Sequence, residues 1–111
     1  MQRATRRLAD HEVLPALAEV ARRDRTTTAR MLVLIGRADA ARLYAATRHD
    51  SMFAYCVGEL RMSEDVAYKR IRVARAARRH PALLERIADG RLHLSGAYLL
   101  APHLRRENAG E

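Results

Sequence analysis

The sequence predicts an all-α protein of five to six short helices with a helix-turn-helix-like pair near its centre. Three observations predict it. Ala and Leu supply 21 and 14 of the 111 residues, a mix that favours helix over strand. Apolar residues recur at helical spacing and never alternate as in a strand. Polar breaks, prolines and a glycine divide the chain into short segments. The hydrophobic fraction, 49 %, is too high for a disordered chain. A chain this short forms one domain with a thin core. Residues 1–104 are expected to be that domain and 105–111 a frayed polar tail.

The first helix is expected from about Glu12 to Arg23, with Val13, Leu14, Leu17, Val20 and Ala21 on one side. Pro15 fits only a first turn, so the start lies near Asp10 to Glu12. Thr26-Thr27-Thr28 reads as a polar break that offers an N-cap. The second helix then runs from about Thr27 to Ala46 through Met31, Leu32, Leu34, Ile35, Ala38, Ala41 and Leu43, with Gly36 weakening its middle. Thr47 to Asp50 is a connection. Ser51 caps a third helix, Met52 to Leu60, with Phe53, Cys56, Val57 and Leu60 facing inward. Ser63-Glu64-Asp65 starts the fourth: a capping hydroxyl followed by two first-turn acids. It stops at Arg79, before His80-Pro81. A short helix from Pro81 to Ala88 ends at Asp89-Gly90. Ser95 caps a last helix that Pro102 ends.

Several function classes fall away. One cysteine, Cys56, excludes an internal disulfide framework and a Cys-rich zinc site, and its apolar neighbours make it a core residue. No Gly-rich phosphate loop, nucleophile elbow or metal-ligand spacing occurs, so no cofactor, metal, catalytic residue or small-molecule substrate is expected. The longest apolar runs are too short to cross a membrane. Met1 to Arg7 is basic, but no apolar segment follows, so no secretion signal is expected. A bacterial-type cytoplasm is the expected compartment, at the nucleoid if the chain binds DNA.

The net charge is +8, from 21 basic and 13 acidic residues, and every basic residue but Lys69 is Arg. Arg-for-Lys usage of this kind follows genome composition, so position matters more than total. Residues 61–91 hold 9 basic and 4 acidic side chains. Within them lies the Ser63–Arg79 helix. At roughly 100° per residue, with Lys69 at zero, Val66, Ala67, Ile71, Val73, Ala74 and Ala77 fill one apolar arc. Tyr68, Arg72, Arg75 and Arg79 fall together on the opposite side, and Lys69 closes that basic arc. Arg70 and Arg78 lie within or at the edge of the apolar arc and should snorkel outward or meet an acid. Arginine forks pair with phosphates or with guanine edges in a major groove that admits a helix. The bland alternative is a solvated helix face. His80 reads as a helix-end residue favoured by the dipole, and His93 as a packing or phosphate contact.

The stretches Ala67–Arg79 and Gly90–Leu104, with Leu43-Tyr44 and Ser51–Cys56 before them, carry a resemblance. They resemble the all-helical N-terminal region of a family of bacterial HNH endonucleases. More loosely, Ser63 followed by Ala88-Asp89-Gly90-Arg91-Leu92 and Leu94-Ser95 is similar to the helix-turn-helix of ParB-like partition proteins, where a helix like Ser63–Arg79 is the recognition helix. The resemblance implies a helical domain that works on DNA. It does not bring nuclease chemistry. That chemistry needs a histidine base and metal-binding His, Asn or Asp side chains on a ββα hairpin. Here His11, His49, His80, His93, His103 and Asn108 fall on helices or their connections.

The sequence therefore points to a non-catalytic DNA-binding domain. Its expected contacts to duplex DNA are Ser63, Tyr68, Lys69, Arg72, Arg75 and Arg79, with Ser63 fixing the helix start. The first two helices are expected to supply core or the surface of a homodimer. Two other readings compete: a truncated HNH endonuclease fragment without its own activity, and a helical interaction or oligomerisation module. In the second, the 27–46 helix would expose an apolar stripe beyond what the core covers.

Overall fold

The computed structural model describes residues 7–104; the expected 105–111 tail lies outside them. Five α-helices follow one another: α1 Asp10–Ala40, α2 Met52–Gly58, α3 Glu64–Arg79, α4 Ala82–Ala88 and α5 Leu94–Leu100. Short 3₁₀ turns occupy Leu43–Thr47 and Ala101–His103. The all-α class is as the sequence predicts, and the described residues hold no strand.

The largest departure is at the N-terminal end. The two helices expected on either side of Thr26-Thr27-Thr28 are one continuous helix of 31 residues. The threonines do not break it because the Thr26 hydroxyl donates to the Arg23 carbonyl at 3.0 Å, inside the helix. Threonine costs a helix only a few tenths of a kcal/mol per residue. The Glu12 carboxylate caps the start by accepting from the Ala9 N–H at 2.9 Å. Pro15 lies past the first turn, so the His11 carbonyl loses its intrahelical donor.

α1 ends at Ala40, short of the expected Ala46, because Arg42 turns the backbone with φ 56°. That reversal brings Tyr44 against the core instead of carrying it away along the helix axis. Arg48 makes a second left-handed turn, φ 65°, before Ser51, whose hydroxyl accepts from the Ala54 N–H at 2.9 Å. α2 is shorter than expected and buries only Met52 and Cys56; Phe53 and Leu60, expected to face inward, are exposed. The turn into α3 passes through Arg61 at φ 63°, a left-handed position that such turns often give to glycine. α4 begins one residue later than expected, with Pro81 at its cap position, and Gly90 (φ 87°) closes its end as the sequence suggests. α5 starts at Leu94, with His93 and not Ser95 at the cap.

α3 is the centre of the fold. α1, α2 and α5 pack on it, the last 3₁₀ turn touches it, and α4 lies mainly against α1. Its buried residues are small: Ala67, Ala74, Ala76 and Ala77 beside Ile71 and Val73. Small side chains let neighbouring helices approach closely. The crossing with α1 occurs at Gly36, where an added Cβ would stand 3.3 Å from the Arg78 side chain and 3.5 Å from the Ala74 carbonyl. Gly36 is thus a contact point with α3 as well as a residue of low helix propensity. His80, at the end of α3, is buried rather than presented to solvent. The radius of gyration, 16.5 Å, exceeds the roughly 13 Å expected of a compact chain this long. The excess comes from α1, whose 31 residues span about 46 Å against a longest dimension of 47 Å.

Candidate nucleic-acid interface

α3 begins where the sequence places it. The Ser63 hydroxyl accepts from the Val66 N–H at 3.2 Å, and Glu64 and Asp65 fill the first turn. Ser63 therefore acts as a cap within the chain. Beyond it the structure narrows the expected basic face. Ala76, on the wheel between Arg72 and Lys69, is buried, which separates Lys69 from the rest of the arc. What remains exposed is a single ridge with steps of four, three and four residues: Tyr68, Arg72, Arg75 and Arg79.

Each member has a distinct environment. Lys69 turns toward α5: its ammonium pairs with Asp65 at 3.2 Å and lies 5.9 Å from the centre of the Tyr98 ring. Tyr68 is 47 % exposed and meets Tyr98 edge-on at 6.0 Å between ring centres. The Arg72 guanidinium stands 5.8 Å over the Tyr68 ring, held by cation–π attraction but otherwise open to solvent. Arg75 is committed within the protein. Its Nε and one terminal nitrogen donate to the Asp39 carboxylate at 2.7 and 2.9 Å, a two-point fork between α3 and α1. Those bonds hold the Asp39 carboxyl below its ordinary 3.8, against the opposing effect of partial burial. They also raise Arg75 above its usual value. Arg79 completes the ridge and is exposed.

Arg72, Arg75 and Arg79 share a cleft of about 250 Å³ with Ala101, Pro102 and Leu104. The cleft lies between the C-terminal half of α3 and the last 3₁₀ turn. The N-terminal turn of α3, the part that a recognition helix directs at base edges, here carries Glu64 and Asp65. The exposed basic side chains therefore concentrate at the C-terminal half of the helix. Sequence reasoning missed the role of Pro102 and Leu104 in this cleft, because only the fold brings residues 101–104 beside residues 72–79.

Of the two arginines placed near the apolar arc, Arg78 is exposed, as expected, and its charge helps to lower the Asp39 pKa, whereas Arg70 is half-buried. Arg70 Nη1 donates to the Met31 sulfur at 3.0 Å, and its Nε is buried without a hydrogen bond. Arg78 lays its aliphatic stem over Gly36 and directs Nη1 at the Gly36 carbonyl, 3.4 Å away. Cys56 is fully buried, and burial raises its thiol pKa, as a core cysteine should behave. His93 is exposed at the α5 cap position. Among the described residues no group of three or more His, Cys, Asp or Glu side chains is placed to hold a metal ion, and no helix is long and apolar enough to cross a membrane.

Fold and ridge together define a small all-α protein with an arginine-lined cleft on its central helix. No protein-family model, curated protein or solved structure matches the chain.

Proposed function

We propose that this protein is a non-catalytic DNA-binding domain that grips duplex phosphates with the C-terminal half of α3. The observation that carries the reading is the convergence of Arg72, Arg75 and Arg79 on one cleft. Arg72 and Arg79 supply charge for phosphate, Tyr68 supplies a ring face at the same edge, and Arg75 is held in reserve by Asp39. Ser63 and Lys69 act through the helix: one fixes its start, the other braces its flank against Asp65 and Tyr98. The resemblance to the region preceding HNH nuclease motifs supports a role in holding DNA for chemistry done elsewhere. The proposed setting is the bacterial nucleoid.

The test is fluorescence anisotropy of labelled duplex DNA over a salt series, with the wild type and the Arg72→Glu/Arg79→Glu variant. Binding is expected at ~50 mM salt, and the slope of log affinity against log salt should fall by about 2 in the variant. No binding by the wild type, or an unchanged slope, overturns the reading. A second reading, a helical association module, is favoured by a separate observation: the apolar face of residues 13–20 of α1 is exposed.

A further inference from the structure

The N-terminal half of α1 is a helix with an apolar face that none of the described residues covers. No residue from 10 to 24 is buried, and Val13, Leu14, Leu17 and Val20 are 44, 73, 60 and 61 % exposed. An isolated helix of about 15 residues is marginal in water. An uncovered apolar face on such a helix marks an interaction surface.

The same face continues along α1. At roughly 100° per residue, Val13, Leu17 and Val20 share one side with Met31, Leu34 and Ala38. There Met31, Leu34 and Ala38, with Met52, Tyr55 and Leu60, line an open apolar groove of about 380 Å³. Leu34 and Leu60 remain 51 and 45 % exposed. One chain thus offers both an apolar rod and an apolar groove, on one helix.

Charge selects what fits. Residues 10–24 carry Asp10, Glu12, Glu19 and Asp24 against Arg22 and Arg23, a net −2. Residues 25–40 carry Arg25, Arg30 and Arg37 against Asp39, a net +2. Glu19 is already held by Arg22 and Arg23 and Glu12 accepts from the Ala9 N–H, which leaves Asp10 and Asp24 to face outward partners. Two α1 helices laid antiparallel set the negative half of each against the positive half of the other. A parallel pair sets like against like. The boundary between the halves lies at the midpoint of the helix, so an antiparallel pair overlaps over its full length.

We propose that two copies of this chain associate through antiparallel α1 helices, with residues 13–20 of each seated in the Met31–Leu34 groove of the other. The contact is isologous, with its two-fold axis near Asp24. Leu17 of one copy meets Met31 of its partner. Within one chain these positions are 14 residues apart, about 21 Å along the helix, and cannot touch.

Sedimentation equilibrium of the full chain without DNA, from low micromolar to about 100 µM, reads the proposal independently of nucleic-acid binding. The expected mass is about 25 kDa, twice the 12.6 kDa of one chain. Leu17→Glu and Leu34→Glu should each give the monomer mass with unchanged helical circular dichroism, since both side chains are exposed. Leu17→Cys combined with Met31→Cys should yield a covalent dimer on mild oxidation, whereas Leu17→Cys alone should not. Asp24→Asn should tighten the dimer severalfold, because it removes two like charges at the axis. A wild type that stays monomeric throughout overturns the proposal. So does a dimer indifferent to Leu17→Glu, or one that Leu17→Cys alone cross-links.

Discussion

The two halves of α1 are one helix in two environments. From Ala29 onward it is packed: Ala29, Leu32, Ile35 and Gly36 are buried against α3 and α4. From Asp10 to Asp24 it buries nothing, although its apolar residues are as large and as regularly spaced. The difference is not in the pattern. It lies in whether another element of the chain stands opposite. Periodicity reports that a helix has an apolar face; only the neighbours decide whether that face leaves water.

The largest test of this contrast is a pair of truncations. Leu32→Ala, at a fully buried site, should lower unfolding free energy by about 2–5 kcal/mol in urea denaturation. Leu17→Ala, measured at concentrations where the chain is monomeric, should stay within about 0.5 kcal/mol of wild type. Equal costs would show that residues 10–24 are packed in the monomer. A second pair separates true from apparent caps. Ser63→Ala should cost about 1 kcal/mol, because it removes the acceptor for the Val66 N–H. Thr27→Ala should cost nothing and gain a few tenths of a kcal/mol, because Thr27 is helix interior. A loss at Thr27 matching that at Ser63 would restore the break.

Asp39→Asn sharpens the link between α1 and α3. Arg75 is more than half exposed, so solvent screens the pair and the expected loss is at most about 1 kcal/mol. The sign with pH is fixed by direction. The folded-state carboxyl titrates below its ordinary 3.8, so its contribution is present above that value and is lost as pH falls through the lower, folded one. Wild type should lose this increment on acidification, and Asp39→Asn should not show it. If Arg75 is held from DNA by Asp39, the variant should also bind duplex more tightly, with a salt slope steeper by about 1. The smallest effect belongs to Pro15→Ala. It should raise helical circular dichroism while leaving the urea midpoint nearly unchanged, since residue 15 lies outside the packed body. A clear shift of midpoint would again join this segment to the core.

Much of the fold was legible in local chemistry. Ser51 and Ser63 are hydroxyl caps, Gly90 takes the left-handed turn, and Cys56 is core, each because the residue type has few other uses at that position. The triple threonine misled because a local break signal is weak against a helix that supplies its own hydroxyl acceptor. The left-handed turns at Arg42, Arg48 and Arg61 left no mark, since arginine does not advertise positive φ. In the candidate site, the ridge Tyr68–Arg72–Arg75–Arg79 follows from spacing alone. That Arg75 is tied to Asp39 does not, because Asp39 comes from another helix; nor does the turn of Lys69 away from the ridge, which depends on Tyr98 of α5 and on the burial of Ala76, although its pairing with Asp65 lies within α3.

The sequence by itself determined the helical class, the caps of α2 and α3 and the alignment of basic residues along α3. These depend on backbone propensity and on interactions spanning four residues or fewer. Only the tertiary structure decided which apolar faces are covered and which arginines are free to bind anything. It also made the cleft that Arg72 and Arg79 share with residues 101–104. Those outcomes depend on which surfaces meet across 20 or more residues of chain, and short-range periodicity carries no record of that. The apolar face of residues 13–20 is the clearest case: the sequence made it, and the monomer fold leaves it in water.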